Sequence, residues 1–581
     1  MTAPTVGANG GGVPAPDTLV ALALAKLEGA RDGIAMHVRR PGASARIAWT
    51  TLTWGQSAAR IAGLARALRA RGVRKGDRVA VLGDPDPRWI EADLAVLLLG
   101  GVTVGIYPTL PPESIAWQLR HAGARVVLGA STDALAHIPR EGLPDLVAET
   151  WDLGTREDLD ASGDPLAVLR ALAVDVRPDD PCALFYTSGT TGNPKGAVVT
   201  HGAMVATVRA TRQVIDLGPR PVSIVFLPLA HSLQRIVVYR SLVEEAEAWV
   251  LPKVTDLLEV LPLAQPTVLA TVPRMLEKIR AGAEAAARAK GPRALAVFQW
   301  AARVAREVSI LSEAGRPLPA FLRAERAVAD HLVFATVRAR MGGHLHQLLV
   351  GGARLDPEVA RFFHGMGFAV CEGWGLTETC APATLNRPED ARFGTVGRPL
   401  PGMDLRLDDD GEVLVRGPGL FTGYWNEPEA TAAAFTQDGW FRTGDIGTIE
   451  DGRLRIIDRK KELIVTSGGK NIPPVNLEKR LEGGPLAQAV VIGDDRPYLV
   501  ALVAPDPDTA GGLSAAELQA LAEARVAALN ATLPPYEQVK RVAVLPEPLT
   551  VEAGLLTPTL KLRRKPIAAR YADLIESLYA R

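Results

Sequence analysis

Apolar positions between Thr53 and Ala130 switch between two periods. Over Ser57–Arg71, the residues Ile61, Leu64, Ala65 and Leu68 recur at helical spacing and predict a helix with one apolar face. Arg78–Leu82 reads as a strand, Ile90–Leu99 as a helix, Val102–Tyr107 as a strand, Glu113–Ala122 as a helix and Arg125–Leu128 as a closing strand. Strands alternating with helices predict a parallel sheet covered on both faces. The alternation resumes over Ala203–Val214, Val222–Leu227 and Gln234–Leu242. Glu277–Met341 departs from it: rich in Ala, Arg and Glu, it predicts several helices broken at Gly291-Pro292 and Gly315-Arg316-Pro317. Leu405–Leu407 and Glu412–Arg416 alternate as in a small antiparallel unit. A smaller α/β set follows, with Leu463–Val465, Val475–Leu481, Ala489–Ile492, Tyr498–Val503, a helix over Ser514–Leu533 and a strand at Arg541–Leu545.

With 581 residues the chain has room for several cores. Lys+Arg and Asp+Glu both total 65, so no basic footprint for nucleic acid or acidic membranes is present. Cys182, Cys371 and Cys380 show no metal or disulfide spacing, which favours a reducing cytosol; Cys182 and Cys371 read as small core residues. Residues 1–16 read as a disordered Gly/Pro/Ala tail and not a signal peptide. The most apolar window, Leu94–Tyr107, is interrupted by three glycines and too short to span a bilayer. A cytoplasmic protein is expected, with peripheral membrane contact and the choice between monomer and homodimer left open.

The densest chemistry lies in Tyr186–Gly196, Tyr-Thr-Ser-Gly-Thr-Thr-Gly-Asn-Pro-Lys-Gly, between two apolar strands. Small residues admit a ligand close to the backbone, consecutive N–H groups form an anion nest, and Lys195 adds positive charge. That suits a polyphosphate, though Pro194 and Gly196 break the Walker A pattern. The strand Gln347–Val350 ends in Gly351-Gly352-Ala353, and ligands collect at strand C-termini in open α/β sheets. Glu372-Gly373-Trp374-Gly375-Leu376-Thr377-Glu378 follows another strand; its glycines let a flat base lie on backbone, Trp374 offers a stacking face and Glu378 a carboxylate for a hard cation. An Asp on a tight glycine turn, as in Gly444-Asp445-Ile446-Gly447, can accept both ribose hydroxyls.

These stretches, with Asp438–Glu462 and the tail Gly554–Lys565, resemble in order the motifs of the adenylate-forming superfamily, which includes acyl-CoA synthetases, luciferases and peptide-synthetase adenylation domains. The span Asp438–Glu462 and the helical insertion at 277–341 are similar to long-chain fatty acyl-CoA synthetases. The resemblance implies a large N-terminal domain (17–457) of parallel βα-layered sheets plus a small β unit, a hinge linker (458–463) and a small mobile α+β C-terminal domain (464–581). It implies ATP-dependent activation of a medium- to long-chain fatty acid to acyl-AMP, then transfer to coenzyme A. By resemblance, Thr187, Ser188, Gly189, Thr190, Thr191, Gly192 and Lys195 hold the phosphates. Thr187 and Glu378 hold Mg2+. Gly351, Gly352, Ala353, Glu372, Gly373, Trp374, Gly375 and Thr377 frame the adenine side, and Asp445 and Arg459 hold the ribose. Lys561 matches the catalytic lysine, with Lys565 as the alternative; Leu560 stands where the family more often has Gly. Lys461 matches the hinge, His231 the mouth of the acyl pocket, and Gly468, Gly469 and Lys470 the pantetheine channel.

Two other readings stay open at this point. One is an acyl-AMP ligase that delivers to a carrier protein. The other is a non-catalytic fatty-acid-binding protein on the same fold.

Overall fold

The computed structural model describes residues 17–39, 49–130, 149–152, 163–187, 194–467, 471–507, 509–557 and 560–580. The expectations for 1–16, for Ser188, Gly189, Thr190, Thr191 and Gly192, and for Gly468, Gly469 and Lys470 lie outside them.

The predicted alternation builds a seven-stranded sheet, ordered Gly423–Tyr424, Lys195–Thr200, Pro181–Thr187, Val102–Ile106, Arg78–Leu82, Ala124–Gly129 and Glu149–Asp152. Its pairs are parallel from Pro181–Thr187 onward, and the two strands on the other side run antiparallel. The helix expected at Ile90–Leu99 begins at Pro87, because Asp86 caps the Arg88 N–H and proline suits the first helical position. All but one of its twelve residues are buried, which explains why that stretch is so apolar. Trp54–Ala70 starts at a reciprocal cap between Thr53 and Gln56.

A second sheet runs Val268–Thr271, Gln347–Val350, Ala369–Trp374, Thr384–Leu385 and Arg398–Pro399. Its first three strands are parallel, so Gly351 and Trp374 stand at the same edge. A third, of Trp49–Thr53, Ile34–Arg39, Glu247–Val250 and Val222–Val225, includes three strands that the hydrophobic pattern had not flagged. Asp404–Leu407, Glu412–Arg416, Phe441–Glu450 and Arg453–Arg459 form the small antiparallel unit.

The insertion folds as Pro273–Ala289, Pro292–Glu313, Ala320–Ala329 and Ala335–Arg340, with breaks at Gly291 and Gly315 as expected. It is docked on the large domain and not a solvated hairpin. Phe298, Ala301 and Ala305 are buried, and an added Cβ on Gly365 would fall 2.0 Å from the Ala305 carbonyl. Glu313 fastens the end of the long helix by accepting from Arg361 at 2.8 Å and from the Phe393 N–H at 3.1 Å. The C-terminal residues form a separate three-stranded sheet, Leu486–Ile492, Leu499–Pro505 and Val539–Val544, with the helix Ala515–Asn530 packed on it.

Candidate active site

The strands Pro181–Thr187 and Lys195–Thr200 pair with Thr187 opposite Lys195, so the glycine-rich loop leaves and returns at one point. The Thr187 hydroxyl donates to the Lys195 carbonyl at 3.5 Å. The Lys195 ammonium stands 4.9 Å over the Tyr424 ring and 3.9 Å from Glu427. Tyr424 arrives there because Gly423–Tyr424 pairs with Ala197 and Val198. Its hydroxyl donates to Glu378 Oε1 at 2.8 Å. Burial, reinforced by the Glu378 charge, pushes the Tyr424 phenol far up, so it stays a donor. Tyr424 therefore joins Lys195 to Glu378, and sequence reasoning missed it. Its signal was the aromatic cluster Phe421-Thr422-Gly423-Tyr424-Trp425.

Gly351 follows its strand and donates to the Thr271 carbonyl at 3.2 Å, and Gly352 takes φ +84°, a conformation that favours glycine. Gly375 allows close approach of the chain, since a Cβ there would fall 2.0 Å from the Ala381 carbonyl. Thr377 and Glu378 lie in the single turn Thr377–Thr379. Glu372 is buried and accepts from the Leu355 N–H at 3.0 Å. Desolvation lifts its carboxyl to about 7 against that hydrogen bond and the nearby Arg354.

Asp445 sits inside the strand Phe441–Glu450, opposite Arg459, and not on the tight turn expected for it. The glycine beside it, Gly444, has φ +71° and marks an irregularity that the strand tolerates. The Asp445 carboxylate is buried between two partners: Trp374 Nε1 donates to Oδ2 at 2.8 Å, and Arg459 Nε lies 3.1 Å from Oδ1. Burial raises its pKa, opposed by Arg459, Trp374 and Lys561.

Lys561 enters this group from the far end of the chain. Lys561 is exposed, and the charges that act on its ammonium are those of Arg459, Asp445, Glu462 and Glu378. Desolvation lowers its pKa and Arg459 adds to that, while Asp445, Glu462 and Glu378 oppose it. Its backbone is held by a two-way exchange with Thr557, at 2.8 Å and 3.0 Å. Leu560, just before it, adopts φ +60°, the left-handed region that glycine enters freely. Lys565, the alternative, lies exposed in the helix Arg564–Arg570. His231 caps the helix Ser232–Arg240, its Nδ1 accepting from the Leu233 N–H at 3.1 Å. Burial, with the Lys561 charge in support, pushes His231 down to about 4, so the ring is neutral at physiological pH. Lys461 is exposed in the turn after Arg453–Arg459. The C-terminal region also meets the large domain through Arg354 on Asn476, and its Val475 N–H donates to Asp458 at the start of the linker.

The AMP-binding enzyme family profile matches residues 35–425, and the AMP-binding enzyme C-terminal domain matches 461–581. The chain is 38% identical over 565 residues to the long-chain-fatty-acid--CoA ligase FadD15 of Mycobacterium bovis, covering 91% of this chain and 92% of that one. It is 30% identical to the peroxisomal long chain acyl-CoA synthetase 7 of Arabidopsis thaliana, over 94% of this chain and 83% of that one. In fold it is similar to ATP-bound MatB from Rhodopseudomonas palustris, with TM-score 0.71 and 23% identity, over 96% of this chain and 99% of that one. A Mycobacterium tuberculosis fatty acyl CoA synthetase gives TM-score 0.62 at 24% identity, over 96% and 99%. Among the described residues no helix is long and apolar enough to cross a membrane. With both of its profiles matched in order, and relatives aligned over nearly its whole length, the chain belongs to the AMP-binding enzyme family.

Proposed function

We propose that this chain is a cytoplasmic fatty acid–CoA ligase acting on medium- to long-chain acids, meeting its lipid substrate by peripheral membrane contact. In the first half-reaction a carboxylate oxygen attacks the α-phosphorus of ATP. The bond to the bridging oxygen breaks, and pyrophosphate leaves with the electron pair. In the second, the coenzyme A sulfur attacks the acyl carbonyl, its proton is lost and AMP departs.

The observation that carries the reading is the convergence of Lys561 with Asp445, Arg459, Glu378 and His231, drawn from four separate stretches. Two anions must meet in the first step, so charge neutralisation by placed cations dominates the catalysis. Lys561 is the cation for the carboxylate and α-phosphate, and Lys195 clamps the departing pyrophosphate. Asp445 and Arg459 take the ribose. Thr187 and Glu378 offer only oxygen donors, the set a hard cation takes, and Glu378 is already oriented by Tyr424. Mg2+, when bound, would be held there and neutralise phosphate oxygens.

Lys561 would obstruct the thiol in the second half. The reading therefore includes rotation of 464–581 against 17–457 about 458–463, with Lys461 at the hinge. The separate C-terminal sheet and the break between the two matched profiles support it.

The test is product analysis by mass spectrometry with ATP, magnesium, coenzyme A and a panel of acids. Acyl-CoA and AMP are expected, with kcat/KM rising with chain length because each buried methylene contributes about 0.8 kcal/mol. Acyl-AMP without thioester would point to a carrier-protein acceptor. Highest efficiency with acetate or an aromatic acid would reject the substrate class.

A further inference from the structure

The helix Pro474–Leu481 begins at two consecutive prolines. Pro473 holds the cap position and has no side-chain acceptor, and Pro474 has no N–H, so the Val475 N–H is the first this helix presents. Its acceptor comes from across the linker, where Asp458 Oδ2 receives it at 3.3 Å. Asp458 lies in the strand Arg453–Arg459, opposite Ile446 on Phe441–Glu450. It is buried, and its other oxygen accepts the Arg459 N–H at 2.7 Å. A carboxylate is favourable at the positive end of a helix. One residue further along, Asn476 accepts from Arg354, which directly follows Gly351-Gly352-Ala353. The first turn of this helix thus takes one bond from the small β unit and one from the loop after Gln347–Val350.

The same helix is fastened to the tail that bears Lys561. Glu478, about one turn beyond Val475, is buried and accepts from both terminal nitrogens of Arg564 at 2.7 Å. It also accepts the Val491 N–H at 2.8 Å. A two-pronged pair of this kind fixes direction as well as distance. Arg564 lies three residues beyond Lys561, and its Nε is 3.8 Å from Glu462 in the linker. A continuous path therefore runs from Arg354 and Asp458 through one helix to the segment carrying Lys561. Its two ends differ in strength. Glu478–Arg564 is charged on both sides and joins 464–581 to itself, so a rotation of that region leaves it intact. Arg354–Asn476 is exposed and the cap is a single bond, so water can replace both at modest cost when the helix departs.

We infer that Asp458 and Arg354 are positioning residues that latch the helix Pro474–Leu481, holding Lys561 in place for adenylate formation and releasing it for thioester formation. The inference rests on the two-step reading above, with rotation about 458–463, and names what holds the first arrangement.

The test keeps the half-reactions apart: pyrophosphate exchange follows adenylate formation, and thioester formation is followed from supplied acyl-adenylate and coenzyme A. Asp458→Ala removes the cap and should lower kcat/KM for adenylate formation about tenfold, equivalent to about 1.4 kcal/mol of bias between the two arrangements. Asn476→Ala, at a partly exposed position that can lose its side chain without unfolding the protein, should lower it about threefold. Thioester formation should be unchanged or faster in both variants, a split that a general loss of structure does not produce. If Asn476→Ala, or a folded Asp458→Ala, keeps the wild-type ratio of the two half-reactions, the latch is overturned while the ligase reading stands. Arg354→Cys with Asn476→Cys then restores the contact covalently, because the native cysteines are buried and a short bismaleimide can join the new pair. Linking should return adenylate formation to the wild-type rate and stop thioester formation. Linked enzyme that adenylates no faster than the unlinked variant overturns the latch, and linked enzyme that completes both halves overturns the rotation and the latch with it.

Discussion

Two Asp–Arg pairs in this molecule are chemically alike and differ in what their arginines have left over. Arg235 and Asp93 meet at 2.5 Å with side chains only 1% and 4% exposed. Tyr239 closes the group: its hydroxyl donates to Asp93 at 2.6 Å and accepts from Arg235. The guanidinium lies 5.0 Å from the Phe185 ring and 5.4 Å from that of Trp89, whose faces cover its remaining surface. Desolvation would lower Arg235, but Asp93 and Tyr239 outweigh it and hold its pKa up. In the other pair Asp445 is 6% exposed and Arg459 44%. There the carboxylate is fixed from behind by Trp374, and the guanidinium keeps donors directed into the cleft. Arg235 Nη1 is left without a hydrogen-bond partner among the described residues, yet it is buried, so no ligand reaches it from solvent and the pair can only hold the fold. A pair with one buried and one open partner can take a ligand.

Breaking the open group should cost chemistry and not stability. Lys561→Ala is expected to lower adenylate formation by at least about a thousandfold, a scale reached when one charge-stabilising donor is lost, with an unchanged melting temperature. Pyrophosphate exchange measures the loss. Thioester formation from supplied acyl-adenylate should be spared, and equal loss of both halves would remove Lys561 from this role.

Breaking the closed group should do the reverse. Arg235→Ala leaves the Asp93 charge buried and alone, so unfolding free energy should fall by about 3–5 kcal/mol. Denaturant titration measures it, and KM for ATP in the remaining folded enzyme should change little. A variant of native stability would show that Asp93 finds solvent, contrary to its burial.

Glu372 sharpens the comparison through pH. Its folded pKa of about 7 lies above the ordinary 4.5, so the native state binds the extra proton. The favourable contribution is fully present below about pH 4.5 and is lost as pH rises through about 7. Glu372→Gln should therefore gain up to about 3 kcal/mol on the native protein at pH 8 and little at pH 4.5. Melting temperatures across that range decide it; parallel profiles would mean the carboxyl is not desolvated.

Trp374 tests how the open pair is held. Trp374→Phe keeps an aromatic face but removes the N–H on Asp445, and should raise KM for ATP about tenfold, near the value of one charged hydrogen bond. The effect should shrink with 2′-deoxy- and 3′-deoxy-ATP, which use Asp445 less. An equal effect on all three nucleotides would make Trp374 a stacking surface only. The smallest change expected is at Leu560. Leu560→Gly relieves a left-handed conformation that costs about 1–2 kcal/mol for a residue with a side chain. Because the unfolded chain also gains freedom, the net stabilisation should be below about 1 kcal/mol, read as a small rise in melting temperature.

Local pattern and motif order were enough for much of this protein. Alternating periods predicted the large parallel sheet, Gly and Pro together predicted the breaks in the insertion, and the spaced motifs singled out Thr187, Lys195, Glu378, Asp445 and Lys561 as candidates because each stands in a recognisable local setting. Ile34–Arg39, Trp49–Thr53 and Glu247–Val250 were not legible, since Ile34–Arg39 and Glu247–Val250 pair across about 200 residues and Trp49–Thr53 joins the sheet only through Ile34–Arg39. Tyr424 was hidden for the same reason: only strand pairing carries it between Lys195 and Glu378. The turn expected at Asp445 was read from its glycines, but a ladder with Arg453–Arg459 overrides that local preference. The sequence alone determined where the ionisable groups stand and which segments with a clear local pattern are helix or strand, because those depend on neighbours within a few residues. The tertiary structure alone decided which charges are closed off and which face a ligand, because burial and long-range pairing are properties of the packed chain.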